Sequence, residues 1–254
     1  NDTNSVQDIF AHNRISKETY RISVSNTGEQ SNAASSKAEI SANGRFIAFH
    51  SEADNLVKND FNNSHDIFIH DTITRTISRI ETTNSDDGEL TCITSPSLSE
   101  DGMYLAFVAR PVSASTKTLY IYMLDRYTET LKRISLIEMP DGTKLTNASA
   151  PVISDNAQFI YYVLAKNIYK YNIFTQETEL ITIGIDSEKG NGNSLSPSIS
   201  ADGRFALYSS SSSNLIENDT NSLYDIFLYD ADTAETSMVN IGVGGYQAKG
   251  NSYH

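Results

Sequence analysis

Short apolar runs alternate with polar turn residues along the whole chain. In residues 40–49, two apolar runs flank Asn43-Gly44, which is the pattern of a tight β-hairpin. In residues 66–80, a β-branched and aromatic run is followed by a polar turn and a closing strand. No segment of the sequence shows a sustained helical apolar period with caps. The pattern therefore predicts an all-β fold of short antiparallel strands.

Both hairpin patterns recur along the chain. The first is clearest in residues 196–205, Ser-Pro-Ser-Ile-Ser-Ala-Asp-Gly-Arg-Phe, and the second in residues 225–230, Asp-Ile-Phe-Leu-Tyr-Asp. One pair of patterns supplies four strands, which we name A to D, so we predict a β-propeller of about five four-stranded antiparallel blades. The predicted single domain, 1–254, comprises an N-terminal half-blade, 1–24, four complete blades, 36–82, 95–136, 150–183 and 196–241, and an open C-terminal segment, 242–254.

These repeats resemble the TolB-type, WD40-like propeller repeat. The resemblance lies in Pro-Ser-Ile-Ser-Ala-Asp-Gly-Arg-Phe, followed by Asn-Asp-Thr-Asn and Asp-Ile-Phe-Leu. It covers nearly the whole chain, and the best copies are residues 36–82 and 196–241. The fourth blade departs from it, because Asn156-Ala157 replaces Asp-Gly. The resemblance implies a propeller that is exported to an extracellular or periplasmic location.

The charge balance narrows the class of partner. The chain has 19 Lys and Arg against 32 Asp and Glu, a formal net charge of -13. Such a field repels phosphate backbones, so we expect no nucleic-acid partner. No apolar run approaches the roughly 20 residues of a membrane span, and no basic and apolar leader opens the sequence. We therefore expect no membrane span, and a secreted protein whose leader is absent from this chain.

An Asp-x-Asn-x-x-x-Asp motif leads into three of the second-pattern strands. Oxygen ligands at this spacing on a loop can converge on a hard cation such as Ca²⁺. In the alternative, the first aspartate begins an Asx-turn and the last binds loop amides, and neither role needs a metal. The predicted metal ligands are Asp2, Asn4 and Asp8, then Asp60, Asn62 and Asp66, and then Asp219, Asn221 and Asp225.

The loops that join one blade to the next are polar and variable. The up-and-down strand order places them at the same end of the blades as the Asp-x-Asn loops, where propellers of this kind contact partners. Solvated turns without a partner are the alternative. The predicted contacts to an unidentified protein partner are Glu29, Gln30, Asp86, Asp87, Asp141, Lys144, Glu188, Lys189, Tyr246 and Gln247.

No catalytic motif stands out. The five histidines share no metal-ligand spacing, and neither a Gly-x-Ser-x-Gly elbow nor a phosphate-binding loop occurs. Cys92, the single cysteine, is expected to be buried and inert. We therefore predict a protein that is not an enzyme and has no catalytic residues: a scaffold for protein–protein interaction, stabilised by Ca²⁺.

Three other hypotheses stay open. In the first, the half-blade and the open C-terminal segment join copies of the chain into a homo-oligomer or a surface filament by strand complementation. In the second, the chain is a segment of a longer repeat array. In the third, it is the propeller portion of a larger hydrolase.

Overall fold

The computed structural model describes residues 2–62, 64–83, 85, 87–114, 118–135, 137–138, 142 and 144–253, with the backbone alone at 93–95. Asp86 and Asp141 of the predicted partner contacts lie outside these residues. The described residues form strands and turns and contain no helix, so none of them forms a helix that could cross a membrane. The prediction of an all-β fold is confirmed.

Strands β1 to β18 follow one another with short connections. Their bounds are β1 Phe10–His12, β2 Thr19–Arg21, β3 Ser35–Ile40, β4 Phe46–Ser51, β5 Asp66–Asp71, β6 Thr76–Arg79, β7 Leu90–Leu98, β8 Tyr104–Pro111, β9 Tyr120–Asp125, β10 Thr130–Arg133, β11 Ser149–Ile153, β12 Phe159–Leu164, β13 Asn167–Asn172, β14 Thr178–Leu180, β15 Ser194–Ile199, β16 Phe205–Ser210, β17 Asp225–Asp230 and β18 Glu235–Met238.

The strands pair in chain order. Strands β1 and β2 form a two-stranded sheet, and β3–β6, β7–β10, β11–β14 and β15–β18 form four-stranded sheets. Every pairing is antiparallel. Each four-stranded sheet is therefore a complete blade with strands A to D, and β1–β2 supply strands C and D of the first blade. The predicted fold class is confirmed.

Two compact units make up the chain. The first contains Asn1–Thr118 and Tyr122–Arg133, and the second contains Leu119–Ile121 and Ile134–His254. In the first unit, Phe49 and Phe68 stack with ring centroids 5.8 Å apart in a buried apolar cluster. In the second unit, Tyr208 and Phe227 stack at 5.9 Å. Stacked aromatic pairs therefore pack with aliphatic side chains in both cores.

The single cysteine is buried in the first unit. Cys92 is fully buried, and burial together with the nearby charge of Asp66 raises the pKa of its thiol to about 12. A thiol of such high pKa holds almost no reactive thiolate at neutral pH. The prediction of a buried cysteine is confirmed.

A backbone hydrogen bond between consecutive blades recurs in both units. In four cases a residue at or near the start of strand A donates its N–H to the carbonyl that precedes strand C of the blade before it. In the fifth, Ser252 of the C-terminal segment donates in the same way to the carbonyl before strand C of blade 5. This bond places the B-to-C and D-to-A loops of a unit at one end of its blades, which we call the loop face; the A-to-B and C-to-D turns lie at the other end, the turn face. The bonds join Ser35 to Gln7, Cys92 to His65, Ala148 to Leu119, Ser194 to Lys166 and Ser252 to Tyr224.

Candidate interaction surface

In the first copy of the Asp-x-Asn motif, the last aspartate is held by hydroxyl groups. Ser23 and Ser31 donate to Asp8 Oδ1 at 2.5 and 2.8 Å. The Arg21 guanidinium lies 3.5 Å from Asp8 and 3.1 Å from the first aspartate, Asp2. Burial acts to raise the pKa of Asp8, but these hydrogen bonds and the arginine charge outweigh it and hold the pKa below its usual value. The surroundings of Asp8 therefore favour its ionised form.

In the second copy, an arginine again meets both aspartates, but other carboxylates crowd the site. Arg79 Nη1 lies 2.6 Å from Asp60 Oδ1 and 3.8 Å from Asp66 Oδ2. Glu81, which lies 3.6 Å from Arg79, follows strand D where the first copy has a serine. Burial, with the charges of Asp60 and Glu81, raises the pKa of Asp66 to about 6, although Asn62 and Arg79 act to lower it.

In the third copy, no arginine is present. Met238 ends strand D at the position that Arg21 and Arg79 hold in their blades. Asp225 accepts hydrogen bonds from Asn221 at 2.8 Å and from Asn240 at 2.7 Å. The first aspartate, Asp219, has a buried Oδ1 atom with no hydrogen-bond partner. Burial and the neighbouring charge of Asp225 raise the pKa of Asp219. This copy therefore holds a carboxylate that lacks a cation.

The motif asparagines act as turn residues in all three copies. Each Oδ1 atom accepts the N–H of the residue two positions later, at 3.4, 3.0 and 2.9 Å for Asn4, Asn62 and Asn221. These Asx-turns begin at the asparagine, whereas the metal-free alternative placed them at the first aspartate of each motif. Among the described residues, no group of three or more His, Cys, Asp or Glu side chains is arranged to hold a metal ion. The first two copies fit an aspartate–arginine ion pair, and only the third retains a carboxylate that a cation would complete.

The loop face of the first unit has its loops tied together by side-chain amides. Asn32, three residues before strand A, receives the N–H of Asp54 on Oδ1 at 3.2 Å and donates its own N–H to Asn55 Oδ1 at 3.0 Å. Asn55 in turn donates Nδ2 to the carbonyl of Gln30 at 2.8 Å. These reciprocal bonds clamp the D-to-A loop to the next B-to-C loop.

The second unit repeats this clamp. Asn191 receives the N–H of Ser213 on Oδ1 at 2.9 Å and donates its own N–H to Asn214 Oδ1 at 3.0 Å. Asn214 donates Nδ2 to the carbonyl of Lys189 at 3.1 Å. Sequence analysis missed both clamps; the signal was available, because each clamp asparagine stands three residues before a strand-A serine, Ser35 or Ser194.

Several predicted partner contacts are exposed on these loops. The side chains of Glu29, Lys144, Glu188 and Lys189 are exposed, and that of Tyr246 is 77% exposed. Their loops present both signs of charge and one large aromatic ring to solvent. Such a set can bind a protein surface through ion pairs around an aromatic contact.

Other predicted contacts are already bound within the protein. Gln30 Oε1 accepts the N–H of Thr3 at 3.2 Å. Gln247 repeats that bond with Thr220 at 3.2 Å and donates Nε2 to the Asn218 carbonyl at 2.8 Å. Asp87 pairs with Arg133 at 3.0 Å and accepts the hydroxyl of Tyr122 at 2.7 Å. These three side chains brace the loops and are less available to a partner.

Comparison with known proteins identifies the fold. No family model matches the sequence, and no curated protein matches it. Among solved structures, TolB from Acinetobacter baumannii is 15% identical with a TM-score of 0.55, over 91% of this chain and 48% of TolB. An oligogalacturonate lyase in complex with manganese is 8% identical (TM-score 0.58; 91% and 58% of the two chains), and the acylaminoacyl peptidase of Pyrococcus horikoshii is 14% identical (TM-score 0.54; 91% and 34%). This chain thus spans about half of TolB and of the lyase and a third of the peptidase, and it has the TolB-like β-propeller fold.

Proposed function

We propose that this chain is a non-enzymatic propeller module, exposed outside the cytoplasm, that binds a protein partner through its loop face. The observation that carries the proposal is the pair of asparagine clamps at Asn32 and Asn191. They fix the backbone of loops whose side chains, Glu29 and Glu188 among them, are exposed. Fixing a loop before binding lowers the entropy lost when a partner docks. Loops on a rigid scaffold are the usual place for recognition.

The charge of the chain favours a partner with a basic contact surface. The formal net charge is -13, and Glu29 and Glu188 project from the clamped loops. Opposite potentials speed encounter and select against acidic proteins. The extracellular or periplasmic location rests on the resemblance of the repeats to the TolB type.

Site-specific photocrosslinking tests the loop face. A photoreactive phenylalanine analogue at Glu29 or Glu188 is expected to give heteromeric adducts in cells of the species of origin. The same analogue at Ile73 or Phe174, which are 72% and 68% exposed in C-to-D turns, is the matched turn-face control and is expected to give none. Because the contact is electrostatic, the yield in extracts should fall as salt rises from about 50 to about 500 mM. Equal adducts from both faces would contradict the proposal.

The propeller portion of a larger hydrolase is the second candidate. It is supported by the likeness to acylaminoacyl peptidase, of which this chain spans 34%. Turnover of a peptide or of oligogalacturonate by the purified chain would overturn the non-enzymatic proposal. Adducts formed only with a catalytic domain would favour this second candidate.

We propose a Ca²⁺ site at the third Asp-x-Asn copy alone, since Asp219 has no arginine and its Oδ1 atom has no partner. Millimolar Ca²⁺ is expected to stabilise the folded chain by about 1–2 kcal/mol through linkage, seen as a higher Tm. Asp219→Asn should abolish the response to Ca²⁺. Asp60→Asn is the matched control: it should lower Tm, because Arg79 loses a partner, yet keep the full response. A Tm that ignores Ca²⁺ in the wild-type chain would remove calcium from the proposal.

A further inference from the structure

The D-to-A loops of blades 1 and 4 form the same small hairpin. The backbone hydrogen bonds that close the two hairpins match, and this match places Ile185 of the second unit at the position of Asn26 in the first; in addition, Ile185 donates its N–H to the Asn214 carbonyl at 2.8 Å. Both loops lead to the next blade of their unit, so each lies at a corresponding place. The matching bonds are Gly28 N–H to Ser25 O and Ser25 N–H to Glu29 O in blade 1, and Ser187 N–H to Gly184 O and Gly184 N–H to Glu188 O in blade 4.

In the first unit, Asn26 caps the edge of the next blade. Its Nδ2 atom donates to the carbonyl of Ile77 at 2.9 Å, and its Oδ1 atom accepts the N–H of Ile77 at 2.8 Å. Ile77 lies in β6, the outermost strand, opposite His70. Both of its backbone groups point away from β5, because Ile80, three residues on, bonds back to Ile67 and backbone bonding alternates along an antiparallel pair. One side-chain amide therefore satisfies two free groups of a sheet edge.

In the second unit, the same edge meets an aliphatic residue. Thr236 of β18 lies opposite Tyr229, in the register of Ile77 opposite His70, and the bond from Val239 to Ile226 repeats the one that sets this alternation. The N–H and C=O of Thr236 thus point away from β17. Ile185, which is 63% exposed, can donate or accept nothing through its side chain. In the described part of the chain, no side chain takes the capping place of Asn26 at Thr236.

A groove of about 690 Å³ lies between this loop and the outer strand of blade 5. Ile183, Ile185 and Phe205 line it and are 45%, 63% and 37% exposed, so its walls include uncovered apolar surface. Glu235 lines it as well, is exposed and supplies negative charge, whereas the carboxylate of Asp230 is paired with Arg204 at 2.7 Å. The groove therefore combines a free strand edge, apolar contact area and a carboxylate within one unit.

We propose that this groove binds an extended peptide segment of a partner protein, which adds to the edge of β18. A peptide group of the segment takes the two bonds to Thr236 that the Asn26 amide makes at Ile77, since both are amides with one donor and one acceptor. Apolar side chains of the segment contact Ile183 and Ile185, and a basic one lies beside the carboxylate of Glu235. This site shares the D-to-A loop of Glu188 with the loop face, but it adds the edge of β18 and so extends the function beyond the contacts proposed above.

The probe is a capped peptide of alternating valine and lysine, Ac-Val-Lys-Val-Lys-Val-amide. Added at concentrations of up to about 1 mM, the peptide is expected to shift the backbone NMR signals of residues 183–185 and 235–238. It is also expected to slow hydrogen exchange of the Thr236 amide. The same peptide methylated on its backbone nitrogens keeps its charge but loses its donors. It is expected to bind at least about tenfold more weakly.

Two matched variants exchange the capping residue between the D-to-A loops of blades 1 and 4. Ile185→Asn, at an exposed position, should cap Thr236 from within, slow its amide exchange without peptide and weaken peptide binding by at least about tenfold. Asn26→Ile should free Ile77 and let the peptide slow exchange there. Loop-face crosslinking from Glu29, which lies in the other unit, should be unchanged in Ile185→Asn, so the two proposals fail separately. Equal binding by Ile185→Asn or by the methylated peptide, or no protection of Thr236 at about 1 mM, would overturn the proposal.

Discussion

Replacing Gly102 with alanine is expected to lower the free energy of unfolding by about 3 kcal/mol. Gly102 turns between strands A and B of blade 3 with φ of +69°, where an alanine side chain is strained. A Cβ atom there would also lie 2.9 Å from Cβ of Phe46 and closer still to its ring. Phe46 has no room to retreat, because it is 4% exposed and the guanidinium carbons of Arg45 and Arg126 lie 4.7 and 4.3 Å from its ring centroid.

Gly44→Ala is the matched control for this prediction. Gly44 is the same turn residue one blade earlier, with φ of +73°, but an added Cβ would meet nothing within 4 Å. It carries the backbone strain alone, and the expected loss is about 1 kcal/mol. Urea denaturation of both variants measures the difference, with equal m values required. Equal losses in the two variants would show that contact with Phe46 contributes nothing.

The contrast between these two glycines shows which features of the fold could be predicted from the sequence. Both stand in the same Asn-Gly or Asp-Gly turn signal, and from such signals the blades and the β-propeller fold could be predicted, because hairpin chemistry is local and repeats with the blade. The additional steric restriction at Gly102 comes from Phe46 of the preceding blade. No local pattern encodes that contact, because it depends on how one sheet packs against the next.

In the candidate site, too, contacts within one loop could be predicted from the sequence, whereas contacts between elements could not. The spacing of Asn62 and Asp66 predicted that their oxygen atoms converge on a cation. The two side chains do meet, but through a hydrogen bond from Asn62 Nδ2 to Asp66 Oδ2 at 3.0 Å. Arg79 comes from strand D, and its contact with Asp60 follows from the register of β6, which the loop sequence does not specify. The braces made by Gln30 and Gln247 likewise join residues 27 positions apart. The roles of the predicted loop residues in binding stay predictions.

The arginine that distinguishes the Asp-x-Asn copies carries the second large prediction. Arg79→Met, which installs the residue found at this place in blade 5, is expected to lower the free energy of unfolding by about 3 kcal/mol at pH 7. The side chains of Asp60 and Asp66 are 3% and 2% exposed, so both carboxylates would stay buried beside Glu81 without the guanidinium. Removing one partner from a buried ion pair leaves the full desolvation penalty of the other.

The loss should depend on pH in a defined direction. The pKa of Asp66 is already about 6 against an ordinary 3.8, and loss of the Arg79 charge raises it further. Because the folded state has the higher Asp66 pKa, it binds more protons than the unfolded state. The contribution of Asp66 to the free energy of unfolding is therefore greatest below a pH of about 3.8 and is lost as pH rises through the folded-state pKa. The deficit of Arg79→Met should therefore shrink as pH falls from about 8 to about 5 in urea denaturation. Adding Asp66→Asn is the control that should remove most of this dependence. A deficit that is the same at both ends of that range would mean that Arg79 stabilises the loop through packing of its side chain.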